Sequence, residues 1–315
     1  MILTLTANPC IDKTLSLERL ELYKMNRARV IDITPSGKGI NVSKALRLLG
    51  VETVSAAFDF SMTDSSRLRE ALDTDGIPHE LVGVYGELRV CSKIFDKSRA
   101  HTVEINEVGT PVTVSDGERL IDALCKRAVD ADILTLSGSI PSGLGTDFYR
   151  LCTERARQVN PDIKVIADAE GELLLEALKA APFMIKPNIH ELESTFGCHA
   201  DGIESLDRIA LDLIDRYGIH TVCISLGADG AFIATSEEAY FCRPYDVTVR
   251  SLQGAGDAMV AGICYAVEEG LPLADMLKYG ACCAGASVAV DGTQFCTREE
   301  FFALLDLPHE VKRIR

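Results

Sequence analysis

The chain has 315 residues, 47% apolar and 25% charged, with a net charge of −15. That is globular composition with material for a large core, and it excludes disordered and fibrous classes. The negative charge argues against non-specific nucleic-acid or acidic-membrane partners, so an anionic substrate would need a local basic pocket.

No run of about 18 uncharged apolar residues and no basic-led apolar leader is present, so a cytoplasmic protein is expected. Eleven cysteines without a C-x-x-C pair fit neither a disulfide framework nor a zinc site, and most read as buried reduced thiols.

Ile2 to Thr6 reads as a short apolar strand ended by Ala7-Asn8-Pro9, with Asp12 in the loop beyond it. Open α/β sheets place ligands past the carboxyl ends of strands, so Asp12 is either a ligand-binding carboxylate or a turn former. Leu15 to Thr34 alternates imperfectly around Asn26, Arg27 and Arg29 and reads as a two-stranded flap.

Pro35 to Val42, with Gly37-Lys38-Gly39 and Asn41, reads as a loop feeding a helix over Ser43 to Leu49 that stops at Gly50. Lys38 and Asn41 suit a sugar and its phosphate. The Walker spacing is absent, and a structural Gly-Lys-Gly turn stays open as the alternative. Ala56 to Asp75 carries no readable pattern.

Arg89 to Phe95 and His101 to Ile105, joined by the polar turn Asp96 to Ala100, read as a hairpin. Paired with the first flap, it forms a small sheet lying over the main domain. Arg89 and Lys93 are then either anion ligands or a solvated strand face.

From Asp116 onward helices and short apolar strands alternate strictly, the pattern of parallel βαβ units in a doubly wound sheet. The helices are expected over Glu118 to Val129, Thr146 to Gln158, Leu173 to Ala180, His190 to Phe196 and Leu206 to Tyr217. The strands are expected over Ile133 to Leu136, Val165 to Ala167, Phe183 to Ile185 and Thr221 to Ile224. Polar loops follow the strand ends: Ser137-Gly138-Ser139, Lys186-Pro187-Asn188 with Glu191, and Ser225-Leu226-Gly227-Ala228-Asp229-Gly230. Asn188 and Glu191 share a helix face, where they either orient a hydrated Mg²⁺ or form a capping box.

Phe232-Ile233-Ala234 and Tyr240-Phe241 read as a further hairpin. Ser251 to Asp257 then leads into a helix over Ala258 to Glu268, closed by Gly270 and Pro272. Gly254-Ala255-Gly256 lets the backbone approach an anion at a helix N-terminus, and the Asp257 carboxylate beside it suits a proton acceptor. That pairing suits phosphoryl transfer, and a glycine-rich loop with an ordinary first-turn Asp is the plainer reading. Leu273 to Val290 reads as an apolar helix pair in the core.

Together these pieces resemble the ribokinase-like sugar kinases of the phosphofructokinase B family over nearly the whole chain. Gly37-Lys38-Gly39-Ile40-Asn41-Val42 and Gly254-Ala255-Gly256-Asp257 are similar to its two signatures. Asn8-Pro9-Cys10-Ile11-Asp12, Ser137 to Pro141, Lys186 to Asn188 with Glu191, and Ser225-Leu226-Gly227 keep its order.

The resemblance implies an α/β fold, a ribokinase-like αβα sandwich with a mostly parallel, doubly wound sheet. It forms one kinase domain over 1–315 with a small β lid from about 13–35 and 87–107. It implies ATP and Mg²⁺ as cofactors and a small-molecule sugar phosphate as substrate, with Asp257 as base and Gly254, Ala255 and Gly256 as anion hole.

By the same resemblance, Asp12, Arg27, Gly37, Lys38, Gly39, Asn41, Arg89 and Ser139 would hold the sugar phosphate. Lys186, Asn188, Ser225, Gly227 and Gly230 would line the nucleotide site. Asn188 and Glu191 would hold the metal through water. A homodimer through the lid is expected.

Asn8-Pro9-x-Ile11-Asp12, Asn26-Arg27 and the Arg89 hairpin are most similar to the branch acting on ketohexose phosphates. Fructose 1-phosphate is the first expectation, with fructose 1,6-bisphosphate as product. Tagatose 6-phosphate, an unphosphorylated sugar or nucleoside, and a non-catalytic sugar-phosphate sensor are the alternatives. The chain departs from the family at Ser36, at Leu252-Gln253 and at Asp59-Phe60-Ser61, where the family favours glycine, a small or β-branched pair and a Gly-Gly loop.

Overall fold

Ile2-Leu3-Thr4-Leu5-Thr6 is buried along its whole length, which only a strand covered on both faces achieves. It is β1, at the centre of the structure. The computed structural model describes residues 1–61, 66–99, 101–290 and 295–315.

Along the chain follow β2 (Cys10–Leu17), β3 (Arg29–Ser36), α1 (Lys38–Leu49), β4 (Thr53–Phe60), α2 (Arg67–Thr74), β5 (His79–Val84), β6 (Arg89–Asp96) and β7 (His101–Asn106). The alternating half runs α3 (Val114–Ala128), β8 (Ile133–Ser137), α4 (Phe148–Val159), β9 (Lys164–Asp168), α5 (Gly171–Leu178), β10 (Met184–Ile185), α6 (Ile189–Phe196), α7 (Ile203–Tyr217) and β11 (Thr221–Ser225). It closes with β12 (Ala231–Ala234), β13 (Ala239–Cys242), α8 (Ala255–Glu268), α9 (Leu273–Val288), α10 (Arg298–Leu305) and β14 (Val311–Arg313).

The large sheet has the order β14-β13-β12-β11-β10-β9-β8-β1-β4-β5. From β5 to β11 it is parallel, and β12 to β14 add an antiparallel edge. One apolar cluster joins Leu3, Leu5, Leu134, Leu136 and Tyr149 on one face; another joins Ile2, Ile133, Met259, Ile263 and Phe301 on the other. Helices therefore cover both faces, as expected for an αβα sandwich.

Successive strands run outward from β1 to β4 and β5, and the chain then returns to place β8 on the other side of β1. The strand order reverses between β1 and β8. In doubly wound sheets that point opens a crevice at the carboxyl ends of the strands. A second sheet, β3-β2-β6-β7, pairs β2 with β6 in parallel and adds β3 and β7 antiparallel at its edges. This is the expected lid.

Several local expectations change. Asp12 lies within β2 rather than in a loop, because pairing with β6 extends that strand back to Cys10. α1 starts at Lys38, not Ser43: a Cβ at Gly39 would sit 2.5 Å from the Leu5 carbonyl oxygen, so the glycine brings the helix onto β1. The helix that starts at Ala258 in the sequence reading starts at Ala255, and Leu273 to Val288 is one helix rather than a pair. The unread stretch contains most of β4, which is buried throughout and has no alternation to detect, and α2. Part of it, 62–65, and Ala100 of the lid turn lie outside the described residues.

Candidate active site

Three strand ends and the root of the lid converge on the crevice beside β1. Thr6 ends β1 and Asn8 follows it, Ser137 ends β8 with Gly138 and Ser139 just beyond, and Ala169 and Glu170 follow β9. With Lys38, Arg89 and Asn106 they line a cavity of about 410 Å³.

Asp257 stands in the first turn of α8, whose N-cap, Gly254, has the left-handed φ of 73° and supplies no side-chain cap. The amide donors of that turn are thus left for an anion, where the helix dipole favours one. The Asp257 side chain is buried, and its Oδ2 accepts a 2.8 Å hydrogen bond from Asn41 Nδ2. Asn41 Oδ1 in turn accepts from Ser36 Oγ at 3.0 Å. Ser36, the departure from the family pattern, therefore fixes which way the Asn41 amide points.

Burial pushes the Asp257 carboxyl up to about 6 and the nearby Asp168 charge adds to this, against the pull of Lys38, the Asn41 amide and Lys186. A carboxylate of that basicity suits proton abstraction near neutral pH.

Beneath the cavity Asp168, at the end of β9, is 1% exposed and lies between two ammonium groups. Lys186 Nζ is 3.2 Å from Oδ1 and Lys38 Nζ is 3.3 Å from Oδ2. Burial opposes ionisation of Asp168, but Lys186 and Lys38 together outweigh it and hold its carboxyl below the usual range. Asp168 in turn is the largest influence raising Lys38.

Lys38 Nζ also lies 3.9 Å from Glu191 Oε1. Lys186 is itself 3% exposed, a buried charge whose Nζ lies 3.7 Å from where a Cβ on Gly256 would stand at the start of α8. Sequence reasoning missed Asp168. Its signal was the acid ending Ile166-Ala167-Asp168, the same strand-end rule that picked out Asp12.

Asn188 and Glu191 form the capping box: Asn188 Oδ1 accepts from the Glu191 amide at 2.9 Å and Glu191 Oε2 from the Asn188 amide at 2.8 Å. Glu191 Oε1 remains directed toward Lys38. Ser225 ends β11, and its amide donates to the Pro187 carbonyl, setting it beside Asn188. Gly227 is exposed in the following 3₁₀ turn, and Gly230 is buried at its end.

In the lid, Arg89 donates through Nε and Nη2 to the Asn8 carbonyl and through Nη1 to the Glu107 carbonyl. Lys93 is buried rather than solvated, its Nζ 3.2 Å from Asp12 Oδ1. Ser139 Oγ accepts from Asn8 Nδ2 at 3.2 Å. Arg27 sits on the exposed connection between β2 and β3 and is not among the residues lining the cavity. Gly37, buried, is the N-cap of α1.

Some polar groups here have no partner among the described residues. Ser137 Oγ lines the cavity, and Gln253 Oε1 and Ser287 Oγ flank the Gly254 turn. Buried orphans of this kind fit a site completed by a hydroxyl- and phosphate-bearing ligand.

Residues 5–300 match the pfkB family of carbohydrate kinases, and the chain belongs to that family, whose members are phosphotransferases that act on an alcohol group. Kinases of this family use ATP, usually with Mg²⁺. A 1-phosphofructokinase of Borreliella burgdorferi is 34% identical over 293 residues, spanning 93% of this chain and 92% of that protein. A 1-phosphofructokinase of Bacillus subtilis is 32% identical over 281 residues, 89% of this chain and 90% of that one. Phosphofructokinase-2 from Escherichia coli, 24% identical across 96% of this chain and 97% of its own, shares the fold with a TM-score of 0.89. No helix among the described residues is long and apolar enough to cross a membrane.

Proposed function

We propose that this chain is one kinase unit over 1–315 that phosphorylates fructose 1-phosphate to fructose 1,6-bisphosphate with ATP and Mg²⁺. The observation that carries the reading is the buried Asp257 carboxylate at the uncapped start of α8, joined to the sugar-side signature by Asn41. Relatives named 1-phosphofructokinase, 34% and 32% identical over most of the chain, support the choice of sugar.

In this reading Asp257 accepts the proton of the attacking hydroxyl, and the amides of Gly254, Ala255 and Gly256 hold the transferring phosphoryl group. Asp12, Asn41 and Ser139 hold sugar hydroxyls, with Gly37 and Gly39 giving the close backbone approach. Lys38 and Arg89, which line one cavity in a chain of net charge −15, supply the local positive charge for the sugar phosphate.

Ser225, Gly227 and Gly230 border the nucleotide. Glu191 and Asn188 would hold Mg²⁺ through water, and the ion would neutralise charge on the phosphates when bound. Lys186 holds Asp168 in place and, from beside Gly256, lines the nucleotide site.

The lid carries the exposed apolar side chains Ile31, Ile33 and Ile105, and its edge strands β3 and β7 pair with no further strand among the described residues. We therefore read the working form as a homodimer through the lids. Phosphorus NMR of the product tests the function. Fructose 1-phosphate and ATP should yield the two phosphate resonances of fructose 1,6-bisphosphate, and no bisphosphate product would overturn the reading.

A further inference from the structure

Parallel pairing sets Cys10 of β2 opposite Arg89 and Asp12 opposite Cys91 of β6. Residues two apart on a strand share a face, so both sulfurs lie on the same side of the lid as Asp12. The two Sγ atoms and an Asp12 carboxylate oxygen all lie within 4.8 Å of one another, and all three residues are buried. Arg89, the register partner of Cys10, also lines the cavity, so a small solute in the cavity is one residue away from the sulfur pair.

Such a cluster invites a metal, but its charges argue otherwise. The Lys93 ammonium already occupies Asp12 Oδ1 at 3.2 Å, and the Arg89 guanidinium stands beside the pair. Two fixed cations disfavour a third and favour a thiolate. The neighbouring Cys10 thiol, with Arg89 and Lys93 and against burial and Asp12, brings the Cys91 thiol down to about 7, while Cys10, whose Sγ donates to Asp12 Oδ1 at 3.9 Å, is pushed up.

We propose that Cys10 and Cys91 are a redox-sensitive thiol pair at the root of the lid, which a hydroperoxide converts to a disulfide that disables the sugar side of the site. The Cys91 thiolate attacks one peroxide oxygen; an S–O bond forms, the O–O bond breaks, and hydroxide leaves to take a proton and become water. Sulfur is oxidised and peroxide reduced. Cys10 then attacks the sulfenic sulfur and gives up its proton; the S–S bond forms, the S–O bond breaks, and a second water leaves. Two thiols and one hydroperoxide give one disulfide and two waters, or water and an alcohol from an organic hydroperoxide.

Cys10 and Cys91 are diagonal rather than directly opposite across β2 and β6, so closing the link shifts the two strands along each other beside Asp12 and displaces its pairing with Lys93. This effect on activity rests on the reading that Asp12 holds the sugar.

The test exposes the full chain to hydrogen peroxide, blocks remaining thiols by alkylation and maps the peptides by mass. A Cys10–Cys91 linked peptide is expected, removed by a thiol reductant and formed more slowly under saturating fructose 1-phosphate. The kcat/KM for that sugar should fall about tenfold or more on linkage and recover on reduction.

Cys10→Ser and Cys91→Ser should each stay active in peroxide, and either one suffices if the other fails to fold. Recovery of both cysteines as alkylated thiols would overturn the proposal, as would a linked protein of unchanged kcat/KM. Peptide mapping needs no substrate, so its failure is separable from a failure of the kinase reading.

Discussion

Asn41 and Asp257 are 216 positions apart in sequence, and a 2.8 Å hydrogen bond joins them in a buried pocket. The bond favours the ionised carboxylate, but burial is the larger effect and holds the Asp257 carboxyl at about 6.

The activity of a base with this pKa should rise with pH through about 6 and level off above it. Stability should run the other way. The folded state binds the Asp257 proton more tightly than the unfolded chain, so this stabilisation is complete below the ordinary 3.8 and is lost as pH rises through about 6. Asp257→Asn should therefore raise stability above pH 6 by on the order of 1–3 kcal/mol and change it little below pH 4. Urea melts of both proteins at two pH values check this; equal stability at pH 8 would remove burial as the cause.

Ser36→Gly removes the hydroxyl that donates to Asn41 Oδ1 and leaves a buried acceptor unpaired, at a cost of ~1–3 kcal/mol. The Asn41 amide is then free to turn away from Asp257, so the acid limb of kcat/KM should move above about 6. A variant that loses stability while its limb stays in place would show that Ser36 serves packing alone.

Asp168→Asn leaves Lys186, 3% exposed, and Lys38 facing each other without the carboxylate between them. Breaking a buried pair from one side typically costs ~3–5 kcal/mol. Because the folded Asp168 carboxyl lies below its usual value, this stabilisation is present at neutral pH and is lost as pH falls through the folded value. Chemical denaturation of wild type and variant at pH 7 measures it, and a difference under about 1 kcal/mol would place Asp168 in the class of weak, solvent-screened pairs.

These residues differ in how far the sequence discloses them. Gly254 to Asp257 was legible because its chemistry is local: glycines, a helix start and a carboxylate lie within four positions. The doubly wound half was legible for the same reason, since each apolar strand and amphipathic helix carries its own period. Asp168 was hidden because its role comes from Lys186 and Lys38, the latter 130 positions away. Lys93 reads as one polar residue in an alternating strand until parallel pairing sets β6 beside β2 and brings it to Asp12. β4 has no period at all because both of its faces are buried.

Arg89→Ala should raise the KM for fructose 1-phosphate roughly 10–100-fold while leaving that for ATP within about twofold, given ~1.5–3 kcal/mol for a charge-assisted phosphate bond. The guanidinium also ties the Asn8 and Glu107 carbonyls, so Arg89→Lys separates the two roles. Lysine keeps the charge and loses the fork, and should recover part of the sugar affinity. Equal increases in both KM values would mean that Arg89 only holds the lid to the domain.

In the proposed reaction Asp257 takes the proton from a hydroxyl of fructose 1-phosphate. ADP release by wild type and Asp257→Asn measures it directly, with fructose 1-phosphate run beside fructose 6-phosphate, tagatose 6-phosphate, fructose and ribose. The highest wild-type kcat/KM is expected for fructose 1-phosphate. The variant should bind this sugar nearly as well but turn over ~10²–10⁴ more slowly. Preference for an unphosphorylated sugar, or an Asp257→Asn rate within about threefold of wild type when general-base catalysis is worth at least ~10², would contradict it.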